Sequence, residues 1–430
     1  MQVSVESPSS IERQMTVQVP AERVSEAVDA RLKSLRGRVR INGFRPGKVP
    51  LKIVKQQYGA SVFQDVLSEM LQSSFQEAVA QEKLQPAGAP TIEPINVKQG
   101  EPLEYKATFE VYPEIEVADV SSLEVTRYDA DIEESDIDKM IENLRKQRQT
   151  WEPVERASKE GDQIVIDFTG YIGDEAFEGG QASDLPVLIG EGRMIPEFEN
   201  QLVGLSAGEE KEITVTFPED YHVKDLAGKE ARFEVKVKEV QEARLPEIDD
   251  DFLKAFGVEE GGIEKLRADI RDNMARELKA KIKSKIKNQV MDGLIELHPI
   301  ELPKALVAEE TRRMRQQAMA NTPQADESMF PDELFREEAE RRVALGLIVG
   351  EIIKVKEIEL DRDRVEAELD DLAASYEDAE EVKNYYRSNP GQMGMLEAMV
   401  LEDQVVDWVL ENAKVTDEKQ SFDDIMETGK

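Results

Sequence analysis

The sequence has no cysteine and only two histidines among its 430 residues. The first absence excludes disulfides, thiolate metal sites and cysteine nucleophiles, and His222 and His298 are too few for a histidine-rich metal site or relay. No apolar run approaches the roughly 18 residues that a membrane span needs. The start, Met1–Glu6, lacks the basic and apolar regions of a secretory signal. We therefore expect a chain that works in the reducing cytoplasm.

Nucleotide-driven chemistry has no sequence support either. The phosphate-binding pattern Gly-x-x-x-x-Gly-Lys-Ser/Thr does not occur anywhere in the chain. We therefore expect neither an ATP-driven cycle nor any cofactor or metal.

Acidic residues dominate the composition and give a net charge of −36. Hydrophobic residues still make up 40% of the chain, which is enough to build cores, and 430 residues fit about three domains. A chain this acidic is repelled by nucleic acid unless its basic residues are gathered in one place.

Positive charge is gathered between positions 31 and 60, where nine Lys or Arg residues occur with no acidic residue. In the middle lies the segment 42–50, whose two glycines and two prolines cannot continue a helix, so we expect a loop. At its tip, Phe44 can stack or fill a pocket, and Arg45 can pair with phosphate or carboxylate. The alternative is a solvated basic helix with a turn.

The periodicity of apolar residues predicts an α+β fold of several domains. The N-terminal part, 1–113, is predicted to be α+β, and 114–150 is a polar linker with a helix at 134–148. A compact antiparallel sheet with one short helix is predicted for 151–245, where Ile164, Ile166 and Phe168 alternate with polar residues. Residues 246–430 are predicted to be entirely helical.

The pattern of apolar residues also predicts where individual helices and strands begin and end. In the first domain we expect strands at 11–19, 91–97 and 103–112 and helices at 21–40, 51–58 and 61–83. In the last we expect one long helix, because an apolar stripe runs from Ile263 to Leu294 at almost constant four-residue spacing. Further helices are expected at 303–320, 331–357, 361–375 and 391–413.

The predicted loop at 42–50 resembles a motif of a known protein family. Gly43-Phe44-Arg45-x-Gly47-x-x-Pro50 resembles the ribosome-binding signature of the trigger factor family of bacterial nascent-chain chaperones, and the similarity extends along the chain. It implies that 1–113 binds the ribosome, a ribosomal protein and RNA beside the exit tunnel. It also implies that 246–430, with 114–150, cradles unfolded nascent polypeptides. By resemblance, the ribosome-binding residues are Gly43, Phe44, Arg45, Gly47 and Lys48.

One position departs from the family pattern. Many members have a basic residue where this chain has Pro46. We therefore expect Phe44 and Arg45, with Lys48, to carry more of the docking than in those members.

The middle domain resembles FKBP-type prolyl isomerases, through Gly161-Asp162-x-x-x-x-Asp167-Phe168-Thr169-Gly170 and four further fragments in the same order. Rotation about an X–Pro bond has a barrier of about 18–20 kcal/mol, and a dry aromatic pocket favours the twisted amide over the planar one. The alternative for each residue is an ordinary core position. The residues that the resemblance assigns to the pocket are Phe168, Phe177, Leu185, Met194, Ile195, Phe198, Tyr221 and Phe233.

Three functional interpretations remain open from the sequence. The leading one is an ATP-independent, ribosome-associated chaperone that carries a prolyl isomerase. The second is a cytosolic isomerase whose other domains deliver substrates, and the third is a scaffold built on long helices. Methionines such as Met329 and Met395 are candidates either for an adaptable client surface or for core filling. A weak homodimer is also expected.

Overall fold

The computed structural model of the chain describes residues 1–40, 44, 48–173, 175–192, 194–219, 221, 226–322, 326–374, 376 and 378–427. Two units are distinguished by their internal contacts. One comprises Met1–Tyr128 with Lys283–Glu418, and the other comprises Asp129–Ile282 with Lys419–Lys430.

The first unit begins with a four-stranded antiparallel sheet. Strands β1 (Gln2–Glu6) and β2 (Glu12–Val19) precede helices α1 (Ala21–Arg36) and α2 (Leu51–Gln81), and strands β3 (Thr91–Asn96) and β4 (Leu103–Glu110) follow them. The order is β1-β2-β4-β3. Every second residue of β4 is buried in a core that α2 completes. The predicted α+β arrangement of this part is confirmed.

Helix α2 differs from its prediction, because the expected break between 58 and 61 is absent. Gly59 lies at the expected break, and glycine inside a helix costs roughly 1 kcal/mol relative to alanine. Val54 on one side of it and Val62 and Val66 on the other are buried in one cluster with Val28 of α1. Burial of these side chains offsets the cost of the glycine, so the helix continues.

Two elements lie between the first and second sheets in the order of the chain. Strand β5 (Glu124–Asp129) was not predicted, whereas helix α3 (Glu134–Gln147) confirms the helix expected at 134–148. A capping box begins α3, in which the side chains of Glu133 and Asp136 each accept from the other's backbone N–H.

The second sheet is antiparallel and is accompanied by one short helix, as predicted for this region, and it has five strands. The elements are β6 (Thr150–Pro153), β7 (Gln163–Ile172), β8 (Glu175–Leu188), α4 (Pro196–Leu202), β9 (Glu210–Thr216) and β10 (Glu230–Arg244). The strand order is β6-β10-β7-β8, and β9 also pairs with β10. Helix α4 contributes Phe198 and Leu202 to the core of this sheet.

The remaining chain is mainly helical. After α5 (Asp250–Ala255) comes the predicted long helix α6 (Gly262–Leu297), then α7 (Lys304–Asn321), α8 (Glu333–Val355), α9 (Arg362–Ala373), α10 (Ala379–Ser388) and α11 (Pro390–Asn412). Helix α10 was not predicted. No helix within the described ranges has the length and apolar content needed to cross a membrane.

The C-terminal region is not entirely helical, which corrects one expectation. Residues Lys414–Lys419 form strand β11, which pairs with β5, and α12 (Phe422–Met426) follows. Most side chains of β11 are exposed, so its sequence shows no apolar alternation that could have predicted a strand. Phe422 and Ile425 are buried.

Candidate functional site

Six aromatic rings of the second sheet form one cluster, and Phe233 of β10 lies at its centre. The Phe233 ring centroid lies 5.7 Å from that of Phe168, 5.9 Å from that of Phe177 and 5.2 Å from that of Phe198. These pairs meet edge to face, the geometry that aromatic quadrupoles favour. Phe217 and Tyr221 extend the cluster, with their centroids 4.7 Å apart.

The exposed fraction of the side chains differs between members of this cluster. Phe198 on α4 is 2% exposed and Phe233 is 7% exposed, so these two rings lie in the buried part of the cluster. The other predicted residues are partly buried and pack against the same core. The structure therefore brings together all eight residues assigned from the sequence: Phe168, Phe177, Leu185, Met194, Ile195, Phe198, Tyr221 and Phe233.

Two glycines make room for the ring of Phe177. A Cβ atom at Gly170 of β7 would lie 2.6 Å from the Phe233 ring and 2.7 Å from the Phe177 ring, and one at Gly180 of β8 would lie 2.7 Å from the Phe177 ring. Real Cβ atoms do not approach other atoms so closely. The aromatic arrangement therefore depends on the absence of side chains at these two positions.

Phe217 was missed as a candidate for the pocket. Its alternation with Ile213 and Val215 indicated a core residue, and it is indeed buried at 3% exposure. It also contacts the rings of Phe177 and Tyr221, which places it in the cluster. The sequence signal was the segment Phe217-Pro218, which lies just before Tyr221. From the sequence, His222 is either a residue at the pocket mouth or an ordinary surface histidine, and it lies outside the described residues.

A buried carboxylate holds the loop that precedes α4. Glu199, which is 4% exposed, follows Phe198 on α4. Its Oε1 accepts hydrogen bonds from the backbone N–H groups of Gly190 and Gly192. Its Oε2 is buried with no hydrogen-bond partner among the described atoms. Glu199 thus ties the loop leading to Met194 onto the helix that carries Phe198. No sequence pattern indicated this role.

A second buried carboxylate lies at the start of β7. Asp162 is 1% exposed and is paired with Arg156 through two hydrogen bonds, of 2.5 and 2.9 Å. Burial, the largest influence, raises the pKa of Asp162, but the bonds from Arg156 and from the Lys159 N–H together outweigh it and hold the pKa below 3.8. The carboxylate is therefore ionised where the sheet begins.

The α1–α2 hairpin presents the basic segment. Val49 at the end of the loop is fully buried in the core between the two helices. Phe44 is 40% exposed and Lys48 is exposed, as a docking tip requires. Gly43, Arg45, Pro46 and Gly47 lie outside the described residues.

Most of the basic side chains on this hairpin make no ion pair. Arg31 pairs with Glu69 at 3.2 Å. Seven others are exposed and have no ion-pair partner among the described residues, namely Lys33, Arg36, Arg38, Arg40, Lys48, Lys52 and Lys55. These seven side chains concentrate positive charge on one part of a strongly acidic chain.

The methionines of the helical region have two environments. Met329 and Met395 are 63% and 67% exposed, whereas Met393 and Met399 pack against a buried cluster. Exposed and packed positions are therefore both found among them.

Comparison with known proteins covers nearly the whole chain. The model "Bacterial trigger factor protein (TF)" matches residues 1–144, "FKBP-type peptidyl-prolyl cis-trans isomerase" matches 154–238, and "Bacterial trigger factor protein (TF) C-terminus" matches 262–411. The chain is 54% identical over 427 residues to a trigger factor of Thioalkalivibrio sulfidiphilus, covering 99% of this chain and 98% of the relative. It is 48% identical to that of Teredinibacter turnerae and 49% identical to that of Stutzerimonas stutzeri, with the same coverage.

The sheet with the aromatic cluster is an FKBP-type peptidyl-prolyl isomerase domain, set within a chaperone that acts on nascent chains with the ribosome. This combination is the one inferred from the sequence, and it is confirmed. The chain belongs to the trigger factor family. A solved trigger factor chaperone structure aligns with 96% of this chain and 99% of its own at 21% identity and a TM-score of 0.49, and the assignment does not depend on it.

Proposed function

We propose that the exposed cations of the α1–α2 hairpin, with Phe44 at the tip, bind a ribosomal protein and ribosomal RNA beside the exit tunnel. The observation that carries this is the set of seven exposed cations without ion-pair partners on a chain of net charge −36. Phosphates of RNA attract such a surface over long range, and Phe44 adds a contact that a charge cannot provide. Gly43, Arg45 and Gly47 complete the proposed docking set.

Co-sedimentation with ribosomes at several salt concentrations tests this docking surface. We expect Lys48→Glu to weaken binding by about tenfold or more and to reduce its salt dependence, because one phosphate contact is lost. Lys98→Glu is the matched control, since Lys98 is also exposed and unpaired among the described residues of the same unit. Equal binding by the two variants would contradict the proposal.

For the second activity, we propose that the eight clustered residues bind the proline of an X–Pro bond. The rings of Phe198 and Phe233 form a dry floor for the apolar proline, and Phe168 and Phe177 flank it. Low polarity around the amide favours the twisted transition state, in which resonance is lost, over the planar ground states. Tyr221 supplies a hydroxyl at the rim that can donate to a substrate carbonyl. No covalent step is required.

A proline-peptide isomerisation assay tests this pocket. We expect Phe198→Leu to lower kcat/KM by about tenfold or more, because the aromatic floor is lost while most of the volume is kept. Phe109→Leu is the matched control, since Phe109 is 4% exposed and lies in the first sheet. Turnover by Phe198→Leu equal to that of Phe109→Leu would contradict the assignment.

Further details of this function are proposals of the same kind. We propose that unfolded segments are held on exposed apolar side chains of the helical region, such as Met329, Leu334 and Met395. Such side chains also support a weak homodimer, for which sedimentation equilibrium is the test. The location is proposed to be cytoplasmic. Functional domains are proposed to end near residues 113, 150 and 245.

A further inference from the structure

Strand β7 of the second sheet lies between two β-bulges, and the first of them is in β8. Ile166 of β7 pairs with Leu185 of β8. Phe168 pairs with Ala182, so two residues of β8 lie opposite Asp167 alone. An extra residue of this kind bends its strand and changes the direction of the side chains that follow it.

The second bulge is in β10, on the other side of β7. Val237 pairs with Ile166, but the next residue of β10 to pair is Glu239. Lys238 is therefore the extra residue in this strand. Both bulges border the same short segment of β7, the segment that contains Asp167.

The bulge in β8 decides which of its side chains face the core. In a regular continuation from the pair of Phe168 and Ala182, Asp184 would lie opposite the fully buried Ile166 and would face the core. Because of the extra residue, Leu185 has that position instead, and it packs against the core together with Phe168. Leu185 and Phe168 are two of the eight residues of the proposed pocket. The shape of the pocket therefore depends on this bulge.

Three charged side chains join the two bulges across β7. The Asp167 carboxylate accepts a hydrogen bond of 2.8 Å from the backbone N–H of Asp184, whose φ is +54°. Lys238 Nζ lies 2.8 Å from Asp167 Oδ1 and 2.6 Å from Asp184 Oδ1. The hydrogen bonds from Lys238 and from the Asp184 N–H lower the pKa of Asp167, so its carboxylate is ionised at neutral pH.

The backbone of Asp184 needs such support. A residue other than glycine rarely adopts a positive φ, although aspartate does so more readily than most. A conformation of this kind persists where the surrounding structure holds it in place. Asp167 provides the acceptor that fixes the Asp184 N–H, and Lys238 binds both carboxylates.

We propose that Asp167 is a positioning residue for prolyl isomerisation, which holds the β8 bulge through the Asp184 N–H and thereby keeps Leu185 in the pocket. Lys238 reinforces this contact from β10. The inference rests on the proposed isomerase pocket. Side chains alternate between the two faces of a strand, so Asp167 points away from the face of Ile166 and Phe168 and acts only through its neighbours.

Two pairs of variants of the full-length protein test this role. Asp167→Ala removes the acceptor for the Asp184 N–H, whereas Asp167→Asn keeps an acceptor oxygen. Asp184→Val introduces a β-branched side chain that disfavours a positive φ, whereas Asp184→Gly adopts it readily. Glu210→Ala is the matched control, because it removes an ion pair of 2.7 Å with Lys236 on the same sheet, where the strands pair in regular register.

The readouts are kcat and KM for a proline tetrapeptide and the methyl NMR resonances of Leu185. We expect Asp167→Ala and Asp184→Val to raise KM by about tenfold with a smaller change in kcat, because a displaced Leu185 loses contacts made to planar and twisted amides alike. The Leu185 resonances should shift in both variants. Asp167→Asn, Asp184→Gly and Glu210→Ala should keep the KM of the wild type.

Unchanged KM and unchanged Leu185 resonances in Asp167→Ala would overturn the positioning role. If that variant does not fold, the same result for Asp184→Val overturns it. An equal rise in KM in Asp167→Asn or Glu210→Ala would also overturn it, because the effect would then not depend on an acceptor at the bulge. Shifted Leu185 resonances with unchanged KM would instead refute the assignment of Leu185 to the pocket, and the positioning role with it.

Discussion

His298 Nε2 accepts a hydrogen bond of 2.9 Å from the backbone N–H of Ala118, a residue 180 positions earlier in the chain. The other ring nitrogen, Nδ1, lies 2.7 Å from the Leu294 carbonyl. Because Nε2 is the acceptor and the partner of Nδ1 is a carbonyl, the proton is assigned to Nδ1 and the ring is neutral. The imidazole is 4% exposed and fastens the segment before β5 to the end of α6.

Replacement of this histidine should destabilise the first unit. His298→Phe keeps an aromatic ring but leaves the Ala118 N–H without its acceptor, at a cost of about 1–3 kcal/mol in the free energy of unfolding. Urea denaturation followed by circular dichroism measures this cost. His298→Gln should lose less, because its terminal oxygen can reach the position of Nε2. Equal stability of His298→Phe and wild type would show that the hydrogen bond contributes nothing.

Acidic pH should lower the stability of the second sheet, because Asp162 becomes protonated. Its folded pKa lies below its ordinary value of 3.8, so its ionisation stabilises the fold above pH 3.8 and this contribution is lost as pH falls through the lower folded value. The expected outcome is a fall in the urea midpoint of the isomerase domain below about pH 4. Asp162→Asn should show lower stability at neutral pH and a flatter dependence on pH. Parallel pH profiles for the two proteins would contradict this linkage.

The space above Gly170 should be essential for isomerisation. Gly170→Ala would push its Cβ into the rings of Phe177 and Phe233, so we expect kcat/KM for a proline peptide to fall by about tenfold or more. Gly346→Ala on α8 is the control, because a Cβ there meets no atom within 4 Å. That control should keep full turnover and gain roughly 0.5–1 kcal/mol of stability. Full activity of Gly170→Ala would mean that the ring positions do not matter.

Glu199 should act as a positioning residue for the pocket. Glu199→Ala removes the acceptor for the Gly190 and Gly192 N–H groups, so Met194 should lose its fixed place and KM should rise by about tenfold. Glu199→Gln keeps an acceptor oxygen for the two N–H groups, so the KM of this variant should stay close to that of the wild type. An increase in KM in both variants, or in neither, would contradict a positioning role for Glu199.

The long helix α6 and the alternating strands β4 and β7 were predictable because one face of each element is buried along its length. Their periodicity therefore appears directly in the sequence. Strands β5 and β11 were not predictable, since both are short and largely exposed and are held by pairing with a distant segment. Helix α10 was missed for a similar reason, as none of its residues is buried.

The residues of the candidate site also divide into those that could be predicted from the sequence and those that could not. Its aromatic residues could be assigned because each one lies in a short fragment that resembles an isomerase family. Phe217 lies in such a fragment too, but it was interpreted only as a core residue. Its place in the cluster and the role of Glu199 depend on contacts made in three dimensions, namely a ring tilted against that of Tyr221 and a loop held by one carboxylate. The basic hairpin was visible as a charge pattern, whereas the lack of ion-pair partners for seven of its cations among the described residues is a property of the folded surface.

The pairing of β5 with β11 has a consequence for how this chain is made. Arg127 of β5 forms an ion pair of 2.6 Å with Asp417 of β11, and these residues are 290 positions apart. Translation at about 5–20 residues per second means that β5 waits roughly 15–60 s for its partner strand to be synthesised. The first unit therefore cannot be completed until residue 418 has been synthesised. A chaperone of nascent chains thus carries an unpaired strand of its own while the 290 residues up to Asp417 are synthesised.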